Sequence, residues 1–302
     1  MDEFTVGVLS NVGMISFLAL SAYLLLVTGE ISFGQQGLFA IGAYAAGIGT
    51  ALWGWPLSVA LAWGAAIAAA AAALVGALTL RLRGMYFAVA TLAFAEAVRI
   101  AFELFRYQVA IDGEPAGPNG TEGFRGIRYV LVQDIGPVQY LALIYGLLAT
   151  VLAVFLWVER SHIGRVLRMV GEDPALAAMQ GVNVARAKLA SATAAGALAG
   201  LGGGLYAHLT TYVEPRNFDI MLGVHSLAYG LIGGLGTAFG PLLGVAIDIG
   251  LLESTRWFSS YRMIVFGGLV AVLLILRPRG LLDERVVHRM RLAWPFGVHA
   301  AR

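Results

Sequence analysis

Cysteine is missing from all 302 residues, and lysine occurs once, as Lys188. The first absence excludes disulfides, thiolate metal sites and cysteine nucleophiles. The second excludes a phosphate-cradling Walker loop, which needs Gly-Lys followed by Ser or Thr, because Lys188 stands between Ala187 and Leu189. Charge is scarce too: Asp, Glu, Lys and Arg make up 13% and the net charge is +2, against roughly a quarter charged residues in an ordinary soluble domain. So thin a basic excess builds no nucleic-acid patch. There is no His-Glu-x-x-His pattern, and His162, His208, His225, His288 and His299 are too dispersed for a metal site. We therefore expect no metal and no catalytic residue in this chain.

In place of charge the chain has hydrocarbon. Apolar residues make up 59%, the mean hydropathy is +0.79, and the runs approach the roughly 20 residues that cross a bilayer as a helix. Nine apolar segments can be marked: Thr5 to Thr28, Gln36 to Trp53, Leu57 to Leu80, Met85 to Phe105, Val138 to Val158, Lys188 to His208, Gly223 to Leu235, Gly240 to Leu252 and Met263 to Leu276. The expected fold is all-α, a polytopic transmembrane bundle of about eight to ten spans formed by residues 1–282, with a basic tail at 283–302. The first run is preceded by Asp2 and Glu3 and exceeds a signal-peptide core, so it reads as a retained span.

Arginine and lysine collect in three places: Arg81 and Arg83; Arg160, Arg165, Arg168, Arg186 and Lys188; and the tail with Arg277, Arg279, Arg285, Arg289, Arg291 and Arg302. The positive-inside rule turns these toward the cytoplasm. The loop 106–137 then faces outside, the loop 159–188 and the C-terminus face inside, and the N-terminus counts back to the outside. The run at Gly223 is thin enough for a half-span, and Gly34 to Gly37 reads as a broken or re-entrant helix. Glycines spaced four apart, at Gly196, Gly200 and Gly204, at Gly230 and Gly234, and at Gly240 and Gly244, let helix backbones approach closely.

Ionisable groups inside spans are costly and therefore informative. Glu96 and Arg99 share one helix face, either as an ion pair fixing packing or as lining for a polar path. Asp248 and Glu253 lie in or at the end of the eighth run, and Asp248 is the better candidate for a proton-coupled carrier. Between spans, Asp173 reads as an N-cap, Pro174 as the first helical residue and Gly181 as the stop of a short helix, either a tidy loop or a docking surface.

Several blocks in order resemble the membrane permeases of branched-chain amino acid ABC importers, specifically the LivM-type subunit. They are Gly34 to Tyr44 (GQQGLFAIGAY), Leu80 to Ile100 (LRLRGMYFAVATLAFAEAVRI), Gly117 to Gly120 (GPNG), Gly164 to Asn183 (GRVLRMVGEDPALAAMQGVN), Ala199 to Tyr206 (AGLGGGLY), Gly233 to Pro241 (GGLGTAFGP) and Arg277 to Leu281 (RPRGL). The resemblance implies a transport subunit of a bacterial plasma membrane that is not itself an enzyme. Its implied partners are a second, LivH-type permease, two cytoplasmic ATPases that bind ATP and magnesium, and an external substrate-binding protein. It implies a coupling segment from Glu172 to Gly181, extended upstream to Gly164, Arg165 and Arg168 and including Asp173, Pro174, Ala177 and Ala178. A substrate pathway is expected around Gly34, Gln35, Gln36, Gly37, Tyr44, Tyr86, Thr91 and Glu96, and Gly117, Pro118, Asn119 and Gly120 are expected to face the binding protein. Larger members carry extra N-terminal spans, whereas this sequence begins almost at the shared core. Carriers of urea, short amides or aromatic acids have similar permeases, and a stand-alone secondary carrier using Asp248 or Glu96 is the other reading.

Overall fold

The computed structural model describes residues 2–79, 81–82, 84–111, 114–253, 262–277 and 280–282. Arg83, Arg279 and the tail 283–302 lie outside them, so the readings placed there stay at the level of sequence. Helices α1 (Glu3–Val27), α2 (Gln35–Ala51), α3 (Leu57–Thr79) and α4 (Met85–Leu104) follow the first four apolar runs. The connection to α6 then folds into strands β1 (Val109–Ile111), β2 (Glu114–Pro118) and β3 (Phe124–Arg125) and the short helix α5 (Tyr129–Val132). After α6 (Pro137–Arg160) come α7 (His162–Glu172), α8 (Pro174–Met179) and α9 (Val184–Thr210). Strand β4 (Tyr212–Val213) leads through a 3-10 turn at Pro215–Phe218 to α10 (Ile220–Gly233), α11 (Phe239–Val245), a π-helical segment Ala246–Glu253 and α12 (Arg262–Leu276). Four of these helices, α1, α3, α4 and α6, are long and apolar enough to cross a membrane on length and composition alone.

Among the described residues, nine apolar helices (α1–α4, α6 and α9–α12) alternate in direction. One end of the bundle carries the antiparallel sheet β1-β2-β3-β4, closed across the chain by Phe124 opposite Val213. The other carries α7 and α8. Helices α1 and α6 run parallel away from the sheet end: the Tyr145 hydroxyl donates to Leu9 O near their beginnings, and Tyr23 meets Phe155 and Glu159 near their ends. The start of α1 thus shares the end of the sheet. The described chain finishes at the opposite end, where Leu281 and Leu282 N–H donate to Ile232 O and Gly233 O.

Packing is centred on the trio α2, α3 and α9, each in direct contact with the other two, with most of the length of α2 buried. The small-residue stripes serve this arrangement. Gly196 abuts Ala68 and Ala72, while Gly200 rests on Gly64 and Ala68 and also meets Gly42 of α2 backbone to backbone. Any added methyl there would displace a neighbouring main chain, so helix approach is set by glycine, not by interlocking side chains. The loop expected over 106–137 contains the small sheet because Gly117 and Gly123 bring β2 and β3 against neighbouring main chain, pairing donors that an irregular loop would leave open.

Candidate functional site

The connection between α1 and α2 enters the bundle instead of skirting it. Helix α1 stops at Thr28, and Gly29 takes φ of 77°, a left-handed turn that suits glycine. Glu30 follows, 6% exposed, in an ion pair with Lys188. The chain then turns back inward. Phe33 N–H donates to Thr91 Oγ1 at 3.1 Å and Gly34 N–H to Ser32 Oγ at 3.2 Å. Gly34 rests against Thr91, and Gly37 sits so close to Ala95 that a Cβ there would come within 2.8 Å of Ala95 Cα. Thr91 lies six residues beyond the start of α4, so α2 begins about 9 Å inside that helix end at 1.5 Å per residue. The break expected at Gly34 to Gly37 is therefore a re-entrant start.

A second helix begins inside the bundle from the opposite side. The turn Pro215–Phe218 packs Phe218 against Phe39 and Tyr44 of α2, with ring centres 6.1 and 6.4 Å apart. Helix α10 starts immediately afterwards, and Gly223 in its first turns faces the Gln36 amide. The thin run at Gly223 is this partial span of 14 residues. The opening turns of α2 and α10 thus lie side by side and antiparallel, halfway along α4.

The residues expected along a pathway divide into two groups. Gly34, Gln35, Gln36, Gly37 and Thr91 come together at this junction, with Tyr44 farther up α2, stacked on Phe102 at 4.0 Å. Tyr86 and Glu96 lie on another face of α4, Tyr86 well exposed and Glu96 half-exposed. Arg99 donates through Nε to both Glu96 carboxylate oxygens at 3.0 Å and through Nη1 to Glu103. The pair read from the sequence is a triad. Asp248 is buried at 1% exposure, and Tyr229 donates its hydroxyl to Asp248 Oδ2 at 2.7 Å, so its carboxylate is held in a packed hydrogen bond. Glu253 closes the π-helical segment.

At the other end α7 and α8 form an arm. Gly164 sits on the Val158 carbonyl at the sharp turn out of α6, and α7 carries Arg165, Arg168 and Glu172. Asp173 caps α8 by accepting from Ala175 and Leu176 N–H at 2.9 and 3.0 Å, with Pro174 as the first helical residue. Gly181, at φ of 84°, follows the C-cap Gln180. Ala177 is buried, whereas Ala178 and the apolar Leu176 and Met179 face outward. The arm touches the bundle through backbone: Gly171 lies directly on Val27 O and Gly29. Arg168 donates to Gly236 O at 2.9 Å. Beside it, Glu159 accepts from Ala238 N–H at 2.6 Å, Tyr23 OH at 3.0 Å and Thr237 Oγ1 at 3.2 Å, tying α1, α6 and the start of α11 together. Glu30 and Glu159 escaped the sequence reading. Their signal was there, since each is a lone carboxylate just past the C-terminal end of an apolar run.

The sheet end holds an open basin of about 940 Å³ lined by residues including Gln108, Gly117, Asn119, Glu122, Arg125 and Arg128. Gly117 and Asn119 thus border it. Pro118 ends β2, and Gly120 donates its N–H to Phe105 O.

Comparison with known proteins bears on this architecture. The model of the family described as the branched-chain amino acid transport system permease component matches residues 4–276. The high-affinity branched-chain amino acid transport system permease proteins LivM of Salmonella typhimurium and Escherichia coli K12 are each 30% identical over 277 residues, which cover 85% of this chain and 64% of theirs. The probable branched-chain amino acid transport permease protein LivH of Methanocaldococcus jannaschii is 28% identical over 159 residues, 51% of this chain and 46% of that one. This chain therefore spans 64% of the length of the LivM proteins it matches. No solved structure matches. A match across nearly the whole sequence, on a bundle of alternating apolar helices, makes this chain a multi-pass membrane protein belonging to the family of branched-chain amino acid transport permease components.

Proposed function

We propose that the chain is one of two permease subunits of an ATP-driven importer in a bacterial plasma membrane, passing hydrophobic amino acids inward. The observation that carries this reading is the arm: α8 presents outward-facing Leu176, Ala178 and Met179, and α7 is seated by Gly171 on the very turn that precedes α2. A soluble ATPase gripping α8 would move the 28–34 turn through main-chain contact, with no side chain to bend in between. The chain's lack of a Walker lysine leaves nucleotide and magnesium to such a partner.

On this reading Gly164, Arg165, Arg168, Glu172, Asp173, Pro174, Ala177, Ala178 and Gly181 build and seat the coupling arm. Gly34 to Gly37, Tyr44 and Thr91 border the moving seam, and Tyr86 and Glu96 lie on the α4 face turned to the second permease. The basin at Gly117 to Gly120 receives the substrate-binding protein. The α7–α8 end and the C-terminus are cytoplasmic. Replacing Ala178 with Trp is expected to abolish ATP-driven amino acid uptake in vesicles while leaving the folded permease in the membrane. Normal uptake by that variant, with ATPases bound, would sink the coupling role. Transport by the purified chain in liposomes without any ATPase would favour the carrier reading instead.

A further inference from the structure

At the start of α2, polar groups stand without partners deep in an apolar bundle. The N–H groups of Gln35, Gln36 and Gly37 precede the first intrahelical bond, from Leu38 N to Gly34 O. Gly34, in the N-cap position, has no side chain to receive them. The neighbouring α10 differs: its N-cap Asp219 accepts from Leu222 N–H. A second, independent observation lies in the side chains. Gln35 is 0% exposed and neither its Oε1 nor its Nε2 has a partner among the described residues; Gln36 is 1% exposed with its Oε1 in the same condition, turned to the opening turns of α10. Buried amides without partners are rare in folded proteins because hydrocarbon offers nothing in exchange for water.

We infer that the uncapped first turn of α2, together with the Gln35 and Gln36 amides, is the recognition site for the carboxylate and ammonium groups of a zwitterionic amino acid, engaged when the seam between α2, α4 and α10 opens. The inference rests on the transport reading above and adds the chemistry of the ligand to it. Three free N–H groups at a helix start favour an anion, through both hydrogen bonding and the helix dipole. Gln35 Nε2 adds a donor for the carboxylate, and the Oε1 atoms of Gln35 and Gln36 accept from the ammonium. All of these groups are uncharged, so a zwitterion is matched without the deep trap that a fixed ion pair would make. Beside Gly34 lies an open cleft of about 30 Å³ bordered by Leu25, Leu38, Val75, Phe87 and Phe94. Its apolar wall suits an aliphatic side chain once the seam widens. Urea and simple amides lack the carboxylate that the helix start favours.

The test uses the assembled importer, with its second permease and ATPases, in proteoliposomes. Gln35→Leu and Gln36→Leu are each expected to slow uptake of radiolabelled leucine about tenfold or more at saturating binding protein, the loss expected when a charged ligand forfeits a hydrogen bond. Native rates in both variants would overturn the inference. Should either variant fail to assemble, the unaltered complex decides: in equilibrium binding to the solubilised permease–ATPase complex, leucinamide is expected to displace labelled leucine about tenfold less well than leucine does. Equal competition would overturn carboxylate recognition. An unaltered complex that moves no leucine at all would bring down the transport reading itself, a result distinct from normal uptake in the variants.

Discussion

At the scale of single residues, the ion pair between Glu30 and Lys188 has the clearest energetic consequence. Both side chains are largely buried, at 7% and 16% exposure, so removing one partner strands a charge in a poor solvent. Glu30→Gln or Lys188→Met alone is expected to cost about 3 kcal/mol, whereas the double replacement should cost well below the sum of the two. Thermal unfolding of the detergent-solubilised protein, compared across the four forms, checks this, and strict additivity would show that the pair is not coupled. Glu159 works differently, because its carboxylate takes the N–H of Ala238 at the start of α11 as well as two hydroxyls. Glu159→Ala leaves these donors open in a part-buried site, and about 2 kcal/mol of stability is expected to go, read by the same melt.

Within the arm, α8 is more exposed to small changes than α7, since a helix of six residues has almost no cooperativity of its own. Asp173→Ala removes the side chain that takes two of its opening N–H groups, a loss of about 1 kcal/mol. Faster amide exchange across residues 175–179, with α9 unchanged, is the expected signature. Gly171→Val tests the junction between arm and bundle: a larger side chain must displace Val27 O and Gly29. On the proposed reading the expected outcome is a permease to which ATPases still bind and hydrolyse ATP, but without transport, measured as uptake per ATP consumed. Helix α2 moves in this picture as a rod between glycine faces, and Gly42→Leu is expected to block it by forcing α9 away.

For the molecule as a whole, the absence of cysteine turns orientation into a simple experiment. Single cysteines at Gln133, bordering the basin, and at Ala178, on the arm, are expected to react with a membrane-impermeant thiol reagent from opposite sides, Gln133→Cys in intact cells and Ala178→Cys only after permeabilisation. Much of this architecture was readable beforehand. Apolar run length gave the spans, the shortness of the run at Gly223 announced a partial helix, and the Asp173, Pro174 and Gly181 spacing outlined α8. Hidden from it were the features made by distant segments: strands two to five residues long, paired through β4 some way down the chain, the meeting of Glu30 with Lys188, and the amphipathic α7 ahead of the capped helix. Periodicity reports what a segment buries, never which remote segment covers it. The start of α2 inside the bundle has a final consequence, for ions. An uncapped helix start carries roughly half a positive elementary charge, and fixed at mid-depth it raises the energy of any bare cation passing by. On the transport reading, protons and potassium would be turned back while a neutral dipolar solute passes, so vesicles bearing the idle permease are expected to hold their membrane voltage.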